Sequence, residues 1–317
     1  MKKLPFAYIV TILVFLILFT AFMSLKVGAV DISFSKMIEP NSLSIKYRMP
    51  RMIIAFLVGI NMAIAGAILQ SITKNPLASP DIVGVSSGSG LGAIIVLLVF
   101  PTMSGMITLF AFLGAIISVI IVISLSYQKG EIRPLRLVLT GVAVSSGFTA
   151  IITFLIVKYA LNSSQALIWL KGSLYARSWQ HIELLWPWTL AGLVIIILNY
   201  RYLNILQLSD ESLIGIGMQV NRTRLLMLAT SVGLAASAVS IAGTIGFVGL
   251  VVPPLSKLLV GNDSKYYLPV SGLIGALLVM IADLAGRVVH PPLEIPAGII
   301  TAILGAPYFV YLLIARK

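Results

Sequence analysis

The charged residues able to do chemistry are few, and the most suggestive pair is Asp283 and Arg287. They are the only charges close to the middle of a hydrophobic run. Their i,i+4 spacing puts them on one helix face, acid before base, which is the favourable order. Such a pair either neutralises itself near a helix end or leaves Arg287 at an outer mouth, ready for an acidic group. Arg48 and Arg51, separated by Met49-Pro50, pose the same choice at a helix start. They are ordinary snorkelling side chains, or planar forks that bind a carboxylate with two hydrogen bonds. Asp210 and Glu211 stand in "LQLSDESLIGIGMQVNRTR" (206–224), the longest polar stretch on the predicted inner face. Carboxylates at the start of a helical run suit its positive end, and Gly215 and Gly217 then break the run. The stretch is a solvated loop or a docking segment.

Other chemistry is missing from the sequence. There is no cysteine, so there is no disulfide framework, thiolate site or cysteine nucleophile. His181 and His290 are far apart, and no Asp/Glu/His cluster has metal-ligand spacing. No nucleophile–base pair and no nucleotide site can be read, so no catalytic residue, resident metal or cofactor is expected. The glycines of "TKNPLASPDIVGVSSGSGLG" (73–92) superficially suggest a phosphate loop. Neither G-x-x-x-x-G-K-[ST] nor G-x-G-x-x-G is present, no strand precedes them and no lysine follows. Turns explain Asn75-Pro76 and Ser79-Pro80, because a residue before proline leaves the α region. They do not explain the small residues from Gly84 through Ser86, Ser87 and Gly88 to Gly92. In a membrane, small residues permit close helix approach or leave room for a solute. Irregular backbone survives there only inside protein or along a wet cavity.

That membrane setting follows from composition. Of 317 residues, 59% are hydrophobic and 10% charged, with a mean hydropathy of +1.06. This is the profile of a polytopic membrane protein. The net charge of +12 is spread among apolar segments with no basic block, which argues against nucleic acid and for cations flanking spans. Lys2 and Lys3 before an apolar run, with Val27-Gly28-Ala29 after it, mimic a secretion signal. Leu4–Leu25 is longer than the roughly 7–15 residues of a signal core, so it reads as a retained first span.

The uncharged runs are Leu4–Leu25, Met52–Thr73, Ile82–Gln128, Leu137–Val157, Leu184–Tyr200, Leu225–Ser256, Tyr266–Ala282 and Ile295–Ala315. At about 20 residues per crossing, Ile82–Gln128 holds two spans, broken at Pro101 and Gly105. Leu225–Ser256 holds one full helix and a short one, interrupted by Gly243-Thr-Ile-Gly246 and closed by Pro253-Pro254. The expectation is an all-α polytopic membrane protein of about ten transmembrane helices, in one transmembrane domain over 1–317. The third and eighth spans are short. With the N-terminus inside, thirteen Lys/Arg lie on the inner face and nine on the outer. The basic loop from Lys26 to Arg51 runs against that bias. Span two leads into short span three much as span seven leads into short span eight, and an even- and an odd-numbered span run oppositely. The halves therefore read as inverted repeats, a transporter pattern in which broken segments mark the path.

Two stretches resemble a known family: "YRMPRMIIAFLVGINMAIAGAILQSITKNPLASPDIVGVSSGSGLGA" (47–93) and residues 243–313, from "GTIGFVGLVVPPLSK" to "GAPYFVYLL". Both look like permeases of ATP-binding-cassette importers for iron-siderophores, heme and cobalamin, and the resemblance covers essentially the whole chain. It implies a second permease subunit, two cytoplasmic ATP-binding subunits and an extracytoplasmic substrate-binding protein. Arg48, Arg51 and Arg287 would then dock the binding protein, and Asp210, Glu211 and Gly217 would couple to the ATPase. Asn75, Pro76, Gly84, Ser86, Ser87, Gly88, Gly246 and Pro253 would line or flank the path. The solute it implies is a ferric siderophore first, with heme and cobalamin behind, in a bacterial plasma membrane. The family commonly reads V-P-H-I-A-R where this chain has Val252-Pro253-Pro254-Leu255-Ser256-Lys257. Any role of that His does not carry over, and a proline at the first helical position would leave the fold intact. The coupling segment also departs, with Ser212 and Leu213 where the family has alanines. The rival class is an ion-coupled secondary carrier, but apart from Asp283 no carboxylate lies deep in a predicted span, as its relay would need. A membrane scaffold would leave the helix breakers unexplained.

Overall fold

A computed structural model of the chain describes residues 5–28, 42–128, 131–132, 134–208, 213, 215, 219–291 and 293–315. Its helices are α1 (Phe6–Lys26), α2 (Met49–Thr73), α3 (Val85–Val99), α4 (Ile107–Ser126), α5 (Pro134–Lys158) and α6 (Ser164–Leu170). They continue as α7 (Trp179–Ile205), α8 (Val220–Ala242), α9 (Val248–Val260), α10 (Ser264–Val288) and α11 (Ala297–Ala315). One two-residue antiparallel pair, Tyr127–Gln128 with Glu131–Ile132, joins α4 to α5. Among the described residues seven helices are long and apolar enough to cross a membrane, and three apolar ones are shorter, Val85–Val99, Val248–Val260 and Ala297–Tyr311. The fold is that of an all-helical polytopic membrane protein.

Helix α2 is the hub. Within the span Ser44–Thr73, 72% of the apolar window is buried inside the protein, against 11% for α5. Small residues make this possible. A Cβ on Gly59 would lie 2.2 Å from the Gly275 carbonyl oxygen of α10, and one on Gly66 would lie 2.0 Å from that of Gly249 in α9. Backbones this close exclude any side chain, which is how membrane helices gain packing without a hydrophobic drive. Helix α8 joins from a third side, where Ser231 Oγ donates to the Ala65 carbonyl at 2.8 Å.

The breaks before the two short internal helices are both left-handed. Gly84, at φ 89°, separates a 3₁₀ turn (Pro80–Val83) from α3. Gly243 at φ 73° and Phe247 at φ 68° separate α8 from α9. The sequence reading ended the second short helix at Pro253-Pro254. In the structure α9 starts at Val248 and runs through both prolines to Val260. Neither proline is at the first helical position, and both are buried in the helix interior. There each proline removes an i→i−4 hydrogen bond, which frees the carbonyls of Gly249 and Leu250. Gln70 of α2 meets that need. Its Nε2 donates to both, each at 3.2 Å, and to the Ala78 carbonyl at 3.3 Å.

Candidate functional site

The ends of four helices converge on one set of charges. The C-terminal ends of α1 and α10 meet the N-terminal ends of α2 and α7 there. A single π-helical turn, Ser44–Arg48, leads into α2. Trp179 at the start of α7 donates its indole N–H to the Ile45 carbonyl, 3.2 Å away. Arg51 Nε lies 2.9 and 3.1 Å from the two Asp283 oxygens, and its Nη2 lies 2.8 Å from Oδ1. Its Nη1 reaches Glu294 Oε2 at 2.7 Å. Arg287 Nε is 3.3 Å from the other Asp283 oxygen. Asp283 is 2% exposed and Arg287 6%, so these charges are tolerated because they are paired and bonded.

Two of the arginines also finish α1. The last carbonyls of a helix lack intrahelical donors and carry the negative end of its dipole. Arg287 Nη1 donates to Ser24 O at 3.2 Å, and Arg48 Nη1 donates to Leu25 O at 3.0 Å and Lys26 O at 2.8 Å. Arg48, Arg51 and Arg287 thus sit together, but they are also a knot tying α1, α2 and α10. That internal role was not visible in the sequence, since Glu294 is distant in sequence from all three.

The knot floors a cavity of about 380 Å³, lined by Arg48, Arg51, Arg287, Glu294, Tyr47 and Arg177 among others. Arg177 lies in the connection before α7, and burial pulls its guanidinium down to about 10. It was not singled out from the sequence. Nothing in a lone Arg between Ala176 and Ser178 signals its place.

At the opposite end of α2 a more polar cavity of about 280 Å³ is lined by Gln70, Ser71, Lys74, Pro76, Gln207, Lys257 and Asn262. Lys257 stands where the resembled family has Arg. Its ammonium lies 4.8 Å from the Tyr267 ring centroid, and the Tyr267 hydroxyl is 3.2 Å from Ser71 Oγ. Asp263 caps α10 beside it. Hydrogen bonds from Asn204 and the Lys265 N–H hold its carboxyl below the usual range. Asp210, Glu211 and Gly217 lie outside the described residues.

The residues read as path-lining have different surroundings. Asn75 Oδ1 accepts the Leu77 N–H at 2.9 Å, a local turn, and Pro76 lines the polar cavity. Gly84 supplies the left-handed turn, where a Cβ would meet Ser118 Oγ at 2.6 Å. The Ser86 hydroxyl donates to Asp81, and Ser87 Oγ donates to Ser145 Oγ at 3.1 Å. Gly88 faces α4, where a Cβ would lie 2.4 Å from both Gly114 O and Ser118 Cβ. Its smallness serves helix packing. Gly246 has nothing within 4 Å of where a Cβ would be, so it faces open space, whereas Pro253 is buried.

Comparison with known proteins gives a consistent picture. The profile of the FecCD transport family matches residues 16–315. The chain is 45% identical over 269 residues to the Fe(3+)-citrate import system permease protein YfmE of Bacillus subtilis (strain 168), covering 84% of this chain and 80% of that one. It is 38% identical over 270 residues to the cobalamin import system permease protein BtuC of Halobacterium salinarum, covering 85% and 73%. A metal-chelate type ABC transporter solved in an inward-facing conformation superposes with a TM-score of 0.88 at 30% identity, covering 98% of this chain and 99% of that one.

Proposed function

Because this chain belongs to the FecCD transport family, a family of transmembrane ABC importer permeases, we propose that it is the permease subunit of a binding-protein-dependent importer of ferric siderophore. ATP is hydrolysed on separate cytoplasmic subunits, and the ten-span, inverted-repeat arrangement in a bacterial plasma membrane is retained. The observation that carries the reading is the shared placement of Arg48, Arg51 and Arg287 around one open cavity, at the end of α2 opposite the polar cavity. An importer needs two such ends, one to receive a loaded carrier protein and one to meet the engine.

A second permease subunit is supported by α5. Its exposed face carries Ser146, Thr149 and Thr153, which fall within two turns, each bonded back to the carbonyl four residues earlier. Gly147 beside them has nothing within 4 Å. Small hydroxyl residues are tolerable against lipid when bonded this way, but they suit a neighbouring subunit or a wet path better. The solute travels wrapped in its chelator, and among the described residues no group of three or more metal-ligating side chains competes for iron.

Membrane vesicles carrying the assembled complex test the whole reading. Uptake of ferric siderophore should require ATP and the binding protein and should persist when the proton gradient is collapsed. Uptake abolished by collapsing the gradient with ATP present would indicate a secondary carrier instead. Saturable uptake of heme or cobalamin, but of no ferric chelate, would reassign the solute. Ferric citrate, the solute named for the 45%-identical relative, is the chelate to compare first.

A further inference from the structure

Arg177 is the arginine of the outer cavity that the knot does not explain. Its Nε is buried without a hydrogen-bond partner among the described residues. Its Nη1 lies 3.4 Å from His181 Nε2, and that contact is not a satisfied bond. His181 Nδ1 accepts the Ser178 N–H at 3.2 Å and lies 3.1 Å from the Ser178 hydroxyl. Nδ1 therefore carries the lone pair, and the neutral ring holds its proton on Nε2. Nη1 and Nε2 both present hydrogens, and neither offers the other an acceptor. A half-buried guanidinium whose Nε is buried without an acceptor is an expensive arrangement to keep in a permease. The residue before it, Ala176, holds a left-handed φ of 57°, a conformation that persists only where the surroundings demand it.

We infer that Arg177 is a docking residue whose guanidinium receives a carboxylate side chain of the extracytoplasmic binding protein. This rests on the binding-protein-dependent reading given above. The rim of the cavity says why the occupant is a protein rather than a small anion. Tyr47 is 65% exposed, Tyr175 64% and Leu43 54%, and all three line the same cavity as Arg177. Exposed tyrosines around a sheltered arginine are the composition of a protein–protein contact centre. A small anion would need only the cations. Arg51 and Arg287 already hold Asp283 and Glu294. Arg177 is where an arriving carboxylate replaces no existing ion pair.

The test uses the permease assembled with its ATP-binding subunits in nanodiscs. The probe is the binding protein that restores ATP-dependent uptake with it. At low salt Arg177→Met should weaken binding-protein affinity on the order of 30-fold, the scale seen when one partner of a close charge pair is truncated, and Arg177→Lys should weaken it less. Thermal stability of the complex without binding protein should be unchanged or raised in Arg177→Met, because a half-buried charge whose Nε lacks an acceptor is removed. A fall in that stability with unchanged affinity would make Arg177 an internal structural residue and overturn the inference. Unchanged affinity in Arg177→Met beside a weakened Arg48→Glu would overturn it alone, leaving the importer reading intact. A wild-type complex that takes up solute without any binding protein would overturn both. Citrate added by itself would overturn it too, if it stabilised wild type but not Arg177→Met while binding-protein affinity stayed the same. That result would mark a small-anion site.

Discussion

Replacing Gln70 tests the account of how a short helix carries two adjacent prolines. Gln70→Leu keeps the side chain's bulk and removes its donor. Three carbonyls, those of Ala78, Gly249 and Leu250, then lose the Nε2 hydrogens they share. Two of them have no helical N–H to turn to, because residues 253 and 254 are prolines. Leaving a buried acceptor unmet costs about 1–3 kcal/mol, and an interhelical polar contact in a membrane protein averages about 0.6 kcal/mol. Against this, Gln70 Oε1 has no partner among the described residues, so its removal recovers part of the loss. The net destabilisation expected is about 2 kcal/mol, or roughly 3–6 °C in the midpoint of thermal unfolding.

The sharper form is a double-mutant cycle, read by unfolding of the purified complex in detergent at one scan rate. Pro253→Ala with Pro254→Ala returns the two backbone N–H groups and lets α9 bond its own carbonyls. In that background Gln70→Leu should cost at least about 1 kcal/mol less than in the wild type, a coupling of the size expected for groups in direct contact. Equal costs in the two backgrounds would refute the reasoning, because Gln70 would then be bracing something other than the proline-freed carbonyls. No loss in either would remove Gln70 from the account altogether.

Other expectations follow from the same geometry. Glu211→Lys in the inner segment should separate ATP hydrolysis from uptake while the permease still inserts, and wild-type uptake in vesicles would show the coupling assignment to be wrong. Gly88→Leu should block recovery of an assembled complex, because α3 and α4 cannot separate without losing their contact at Gly88 and Gly114. A stable complex that fails only in transport would instead place Gly88 on the path. Arg48→Glu should weaken binding-protein association more at low than at high salt, as rim charges do. Salt-independent loss would point to the α1 cap rather than docking. Arg51→Met leaves the buried Asp283 held by Arg287 alone and should lower stability by about 1–3 kcal/mol, and Arg51→Met with Asp283→Leu should be less stable still, because the buried Arg287 then loses its carboxylate partner. Thermal unfolding of the single and double variants decides this.

The sequence made the architecture readable because a bilayer imposes simple arithmetic on apolar runs. Breaks at Gly84 and at 243–247 could be read because Gly and Pro leave few conformations open. The end of α9 was misread for an instructive reason. A proline pair signals termination only if nothing else satisfies the carbonyls it frees, and here the donor is Gln70, nearly 180 residues earlier. Similarly, the arginines announce themselves by charge, and Asp283 and Arg287 by spacing. Nothing local says that Arg51 lies across from Asp283, or that Arg48 and Arg287 cap α1. Gly88 shows the opposite ambiguity. A small residue reads the same whether it makes room for a helix or for a solute, and only the 2.4 Å approach of α4 decides between them.

Helix α2 carries both devices, one at each end of a rod about 37 Å long at 1.5 Å per residue. At its start Arg51 is bound to Asp283 of α10. Near its finish Gln70 is bound to the proline-freed carbonyls of α9. Between them Gly59 and Gly66 press its backbone against those same two helices. Sliding α2 past α9 or α10 would break a buried ion pair or strand carbonyls, and would drive backbone into backbone at two crossings. Packed interfaces of this kind move as units rather than deform continuously. Helix α5, by contrast, is mostly uncovered, and its described side-chain hydrogen bonds beyond its own backbone come down to Ser145 with Ser87. Under the importer reading, force applied at the arginine end would move α2, α9 and α10 together as one body. Helix α5 stands largely apart from that body: it packs on α3, α4 and the Pro80–Val83 turn, where a Cβ on Gly141 would lie 2.0 Å from the Ile82 carbonyl oxygen.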